Sequence, residues 1–243
     1  MPKETPFNVV TRKLLDAWLA CDPQHPADAM DVYRSSVDLL SVRMRMTLVY
    51  VGGDDPLLWS MRAIRTYGFA SRLLDTAKLL PDGPLGGVTD RAFMENAVLP
   101  RLQEVVETQQ PVIELVKTKV FGLDVGYDRI MLPQKNAKRP EWVITSTMGR
   151  FMFAAPRKPA ELDLMDEAIV QLLIEGATAK EIAAEINVSP RTVEHRLERM
   201  KERVGARNLV QLATMLMAHR LGQATPSRQS PSDVRPVTAA PDR

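Results

Sequence analysis

The chain of 243 residues has one cysteine, Cys21, and three histidines. A single thiol excludes an intramolecular disulfide and a Cys-rich metal site, and it fits a reducing compartment. Charge of one sign is also scarce: the net charge is +2, too small to announce a polyanionic partner. Any case for nucleic acid must rest on where charges sit, not on their sum. No apolar run approaches the ~18 residues of a membrane span. The N-terminus, MPKETPFNVV, carries no secretory pattern, so a soluble cytoplasmic protein is the expectation. No Gly-rich phosphate loop, metal-spaced His/Cys cluster or nucleophile motif is present. The expectation is therefore a binding protein, not an enzyme, with no metal, and the sequence names no cofactor. There is no internal repeat. At 45% hydrophobic residues a packed core is available, and the length allows one large domain or two small ones.

Along the chain, Val9 to Leu19 and Ala27 to Leu40 read as short amphipathic helices, with Pro23 and Pro26 between them. Met44 to Val51 is apolar and β-branched and is closed by Gly52, Gly53 and Pro56, the texture of a strand and turn. Arg62 to Leu80 looks helical in pieces, Pro81 to Gly87 is a loop by its turn residues, and Asp90 to Thr108 returns to helical spacing. Three strands follow: Val112 to Val120, Gly126 to Leu132, and Trp142 to Phe153. The last two flank the polar loop Gln134 to Glu141 and suggest an antiparallel hairpin. Pro156 to Pro159 is a short basic linker. Past Gly222, prolines at 226, 231, 236 and 241 stand among polar residues, a composition expected to be disordered.

Between Glu161 and Gly222 the pattern predicts four helices. Asp163 caps the first and Gly176 ends it. Thr178 and Glu181 form a capping box for the second. After the Asn187-Val188 turn, Ser189 caps the third helix and Pro190 opens it. Two short helices, a tight turn and a third helix are the helix-turn-helix arrangement. With each residue advancing about 100°, Leu197, Met200 and Val204 fall within roughly 40° of Val193 and must face the core. Arg191, Thr192, His195 and Arg199 lie about 160° to 260° away, on the solvent face. From Arg191 to Arg207 there are six Lys/Arg against three Glu, so the outer face is locally basic, as major-groove readout requires.

Residues 162–213 strongly resemble the LuxR-type, or GerE-type, helix-turn-helix. The most specific pieces are Lys180 to Ala183 (KEIA), Ser189 to Val193 (SPRTV) and Val204 to Asn208 (VGARN). The resemblance implies double-stranded DNA as partner, with Lys180 near the backbone and Thr192, His195, Arg196 and Arg199 on or beside the groove-reading face. Adding Ser189 and Arg191, these are the candidate DNA-binding residues. It also implies that the fourth helix, from Leu209, helps form a homodimer. Leu209, Leu212, Ala213 and Leu216 are expected to pack inward, leaving Val210, Met217 and Leu221 without an intradomain partner. The family often opens its first helix with a Thr-Pro pair and an Arg-Glu run, where this chain has Asp163 to Asp166 (DLMD). Arg196 stands where the family's usual histidine is expected.

The order of helix, strand, short helices, long helix and three strands before residue 155 suggests a PAS-like fold. Val105 to Val112 (VVETQQPV) followed by Tyr127 to Pro133 (YDRIMLP) resembles bacterial PAS-like domains. The resemblance implies a sensor or dimerisation domain that often holds a ligand between sheet and helices. Trp59, Phe69, Phe93, Tyr127, Met131, Trp142 and Met148 are the candidate pocket residues, although such positions are most often ordinary core. A phosphoacceptor receiver is disfavoured, because no aspartate follows an apolar strand at the right distance. An acyl-homoserine-lactone domain fits the length without its Trp/Tyr-rich pocket motif. His25, in a Pro-flanked loop, reads as a surface residue and not a haem ligand, and Cys21 as an ordinary thiol. The fold expected is an α+β PAS-like domain followed by an all-α four-helix helix-turn-helix domain: N-terminal helices 1–40, PAS-like 41–155, linker 156–160, helix-turn-helix 161–222 and tail 223–243. The function expected is a DNA-binding transcription regulator. Its signal is a small molecule, an acyl-homoserine lactone or a partner protein.

Overall fold

The computed structural model describes residues 4–68, 71–75, 78–154 and 161–223, without the side chains of His219 and residues 221–223. The expected linker and tail, and Phe69, lie outside the described residues. The chain divides into two compact units, Met1–Ala155 and Pro156–Arg243. No helix among the described residues is long and apolar enough to cross a membrane.

The first unit is built on one antiparallel sheet of six strands, in the order β3-β2-β1-β6-β5-β4. These are β1 (Met44–Tyr50), β2 (Ser60–Arg65), β3 (Gly83–Pro84), β4 (Val112–Val120), β5 (Leu123–Pro133) and β6 (Trp142–Ala154). The three long strands were legible from their alternation. β2 was not: Arg62 to Leu80 reads as helical pieces, yet residues 60–65 pair with β1, Val49 opposite Met61. The reading failed there because Met61 is the one buried residue in that strand, which leaves no period-two signal. The expected loop at Pro81 to Gly87 also contributes a two-residue edge strand, β3, beside β2. On β5 the Phe151 ring lies against the backbone of Gly126, in the space a Cβ would take, and the β5–β6 register shifts there.

Period-two alternation gives the sheet two distinct faces. One carries Met44, Met46 and Leu48 of β1 with Ile130, Leu132 and Ile144. It is covered by Phe7, Val10, Leu14 and Trp18 of α1 (Phe7–Leu19) and by Val32 of α2 (Ala29–Tyr33). The Trp18 indole N–H donates to the Pro133 carbonyl at 2.7 Å, tying α1 to the end of β5. The first helices thus share a core with the strands and do not stand apart. The other face packs under a helix that runs through α3 (Arg91–Phe93), a π-helical turn (Met94–Val98) and α4 (Leu99–Thr108). Asp90 caps this run, its carboxylate accepting the Phe93 N–H. Pro100 lacks an N–H to return to the preceding turn, so the ladder opens there into the wider π turn.

The second unit holds four helices: α5 (Leu164–Ile174), α6 (Ala179–Glu185), α7 (Pro190–Val204) and α8 (Leu209–Gln223). Their caps follow from the sequence. Asp163 accepts the Asp166 N–H, Thr178 and Glu181 form the reciprocal capping box, and Ser189 accepts the Thr192 N–H. Gly205 closes α7 at φ 78° and Asn187 turns α6 into α7 at φ 55°, left-handed conformations that these two residue types tolerate best. Ile169, Ile182, Val193, Leu197, Met200, Val204, Leu212 and Leu216 form the core. In α8 the expected inward set is corrected at two places: Leu209 is exposed, and Met215 is buried.

Candidate nucleic-acid interface and internal cavity

On α7 the stripe Val193, Leu197, Met200 and Val204 is buried, which turns Arg191, Thr192 and His195 to solvent. Lys180 is exposed on α6. Neither Lys180, Arg191 nor His195 is held in an ion pair among the described residues. Ser189 and Thr192 are exposed, but their hydroxyls meet at 2.8 Å, so each serves the cap as well as facing outward.

The remaining basic residues of α7, the candidates Arg196 and Arg199 among them, have partners inside the unit. Arg196 Nη1 donates to Asp163 Oδ2 at 2.7 Å and to Asp166 Oδ1 at 2.7 Å. Arg199 Nη2 reaches Asp166 Oδ2 at 3.2 Å. The Asp166 side chain is only 2% exposed, and a carboxylate so buried needs a partnered cation. Arg196 and Arg199 supply it from α7, Arg196 half-buried and Arg199 still exposed to solvent. The same contact holds the Asp163 carboxyl below the ordinary aspartate range, chiefly through its hydrogen bond from Arg196. Lys201 pairs with Glu198, and Arg203 donates to the Glu161 carbonyl. Among the described residues of this unit, Lys180, Arg191 and Arg207 are exposed cations outside any ion pair.

Residues 166–216 match the profile of the bacterial regulatory proteins of the luxR family. The second unit is a LuxR-type helix-turn-helix domain. No curated protein matches the chain in sequence. Among solved structures the chain is similar to VqmA bound to DPO, 19% identical over 51% of this chain and 58% of that one, with a TM-score of 0.25. It is similar to the Vibrio cholera VqmA–ligand–DNA complex, at 17% over 51% and 61%, TM-score 0.25. It is also similar to Escherichia coli SdiA, at 15% over 89% and 99%, TM-score 0.25. The chain spans about three fifths of the length of the VqmA chains. TM-scores of this size do not establish a shared overall arrangement.

The first unit holds a cavity of about 330 Å³, partly open to solvent, between the second sheet face and α3–α4. Phe93, Tyr127 and Met131 line it. Trp59, Trp142 and Met148 do not. Trp142 and Met148 sit at even positions of β6 and point into the core under α1, while Thr145 and Thr147 at odd positions face the cavity. Trp59 is buried in the cavity-side core without lining the space, its indole N–H aimed at the Gly53 carbonyl.

The polar wall of this cavity was missed entirely. Arg45 and Thr47 of β1 stand opposite Thr147 and Thr145 of β6, so four polar side chains form one patch on the two central strands. Tyr67 closes one side with its hydroxyl against Thr147. Burial raises the Tyr67 phenol above its ordinary pKa and raises Tyr127 to about 12. Arg129 lines the cavity from β5, 4% exposed and fully engaged: Nη2 and Nε donate to Glu114 Oε1 and Nη1 to the Ala97 carbonyl in the π turn. Arg45, 2% exposed, is different. Nε donates to Thr47 and Nη2 to the Leu80 carbonyl, yet Nη1 has no hydrogen-bond partner among the described residues, and neither has the Thr145 hydroxyl. The signal available in the sequence was two polar residues, Arg45 and Thr47, at alternate positions of an otherwise apolar strand.

Proposed function

We propose that the chain is a sequence-specific transcription regulator. The LuxR-type unit reads double-stranded DNA, and the first unit is a PAS-like sensor whose cavity takes a small molecule. The observation that carries the DNA-binding half is the exposed set Lys180, Arg191, Thr192 and His195 on α6 and α7 of a matched LuxR-type domain. Arg191, Thr192 and His195 sit in the N-terminal part of α7, the end that enters a major groove in helix-turn-helix proteins. The α7 helix reads bases chiefly through Arg191, Thr192 and His195, while Lys180 contacts phosphate. The helix–strand order supports the PAS-like reading of the first unit, and an internal cavity with a polar wall favours a small-molecule signal over a pure protein-interaction module. The DNA-bound form is a homodimer, since one recognition helix spans too few base pairs to select a site and two-fold pairing fills successive grooves about 34 Å apart.

Footprinting of genomic fragments by the full chain tests this reading. Discrete protected sites are expected, with the Lys180→Ala chain losing affinity about equally for all sequences and showing a flatter salt dependence. Uniform protection without preferred sites would overturn the reading.

A further inference from the structure

Resting on the reading of the cavity as a sensor site, we propose that its ligand is a small amphipathic monoanion. Its carboxylate-like head binds Arg45 and Thr145, and its apolar body lies against Met61, Leu85, Phe93 and Met131. The geometry carries the head group. Arg45 is buried on a central strand and its guanidinium cannot shed its proton to escape the cost. Both of its satisfied N–H groups meet neutral acceptors, the Thr47 hydroxyl and the Leu80 carbonyl. Arg45 and Thr145, the residues that carry the unfilled Nη1 and the unfilled hydroxyl, both line this cavity. The strand register places Thr147 opposite Arg45 and Thr145 on the diagonal from it; such diagonal neighbours lie about 7–8 Å apart, within reach of a side chain as long as arginine. Two donors so placed can share the two oxygens of one carboxylate.

The nearby carboxylates do not fill this role. Glu114 is taken by Arg129 and Arg101, and Asp128 by Arg150. Asp82 adds its field at Arg45, but its Oδ1 accepts the Ala63 N–H and it forms no ion pair with the guanidinium. The polar wall is therefore positive, and a neutral acceptor would satisfy Nη1 while leaving the charge unmatched. A cationic head group is refused. The volume of about 330 Å³ holds on the order of ten non-hydrogen atoms at about 30 Å³ each.

Octanoate, octanamide and octylamine share one chain and differ only in the head, so they separate charge from fit. Calorimetry and thermal melting of the full chain with each probe form the test. Octanoate is expected to bind and raise the melting temperature, octanamide to bind roughly ten- to hundredfold more weakly, and octylamine to leave the melt unchanged. The Arg45→Met chain is expected to lose the octanoate preference while its unliganded melt stays equal or rises, because an unmatched buried charge has been removed. Thr145→Val gives a second route should Arg45→Met fail to fold: octanoate binding weakens and the octylamine result is unchanged. Equal affinity for octanoate and octanamide, or octanoate binding indifferent to both substitutions, overturns the monoanion site and leaves the sensor reading standing. Failure of all three probes to bind overturns both.

Discussion

Two arginines on one face of one sheet are treated in opposite ways. Arg129 on β5 is 4% exposed and finds a carboxylate and a carbonyl. Arg45 on β1 is 2% exposed and finds only neutral acceptors, with one nitrogen unfilled. The LuxR-type unit follows the first pattern: its buried Asp166 is matched by Arg196 and Arg199. Among the described residues, the buried Arg129 and Asp166 each meet an opposite charge, at Glu114 and at Arg196. Arg45 alone among the described buried charges lacks one, the contrast on which the proposed anion site rests.

The largest expected effect breaks the compensated member of that pair. Glu114→Gln leaves Arg129 charged and buried without a carboxylate, facing the Ala97 carbonyl and the Tyr127 ring. The expected loss is about 3–5 kcal/mol, or roughly 10 °C in the melting of the first unit. Arg45→Met without ligand is expected to be neutral or stabilising. Thermal melts of both chains, followed by tryptophan fluorescence, make the comparison, since all three tryptophans (Trp18, Trp59 and Trp142) lie in the first unit. Equal destabilisation by the two substitutions would show that Arg45 is structurally satisfied after all.

A smaller effect separates the arginines of α7. Arg196→Met removes the main partner of Asp166 and is expected to destabilise the LuxR-type unit by about 1–3 kcal/mol. Arg191→Ala is expected to change stability by less than about 0.5 kcal/mol and to weaken specific DNA binding by about 1–3 kcal/mol. Chemical denaturation and binding titrations on the same two chains check this. A stable Arg196→Met chain with lost base preference would place Arg196 at the groove.

The same helix shows how far the sequence could be read. Caps, turns and core stripe of the second unit were legible because each depends on short-range spacing. The partner of Arg196 was not, since Asp163 lies 33 residues earlier and was read only as a cap. Its angle was available: Arg196 falls about 60° from the Val193 stripe, on the flank of the core and not opposite it. In the first unit Arg45 and Thr47 alternate with Met44, Met46 and Leu48, but β1 is buried on both faces, so these polar positions face the cavity and not solvent, an environment that alternation alone does not distinguish.

The two units also differ in the pH at which they weaken. Asp163 titrates below its unfolded value because Arg196 donates to it. That contribution is present above about pH 4 and is lost as pH falls through the lower folded value. Tyr127 is raised to about 12 by burial, so its contribution is present below about pH 10 and is lost as pH climbs toward 12. Acid therefore loosens the LuxR-type unit through Asp163, and alkali loosens the first unit through Tyr127. Amide exchange resolved by unit, across both limbs, checks the order. Asp163→Asn is expected to remove its share of the acid limb alone.

The smallest expected effect on stability lies on α8. Val210 and Met217 are 78% and 47% exposed, one helical stripe apart from the buried Leu212 and Leu216. Since neither side chain packs inward, Met217→Glu should alter the melting of the chain by no more than about 0.5 kcal/mol. Its effect should fall on association, because a carboxylate placed in an apolar seam meets its own copy across a two-fold axis and repels it. Sedimentation of the full chain on a palindromic site is the measurement. The parent is expected to sediment as a dimer and Met217→Glu as a monomer with weaker DNA binding. A Met217→Glu chain that still dimerises on DNA would move the interface off α8.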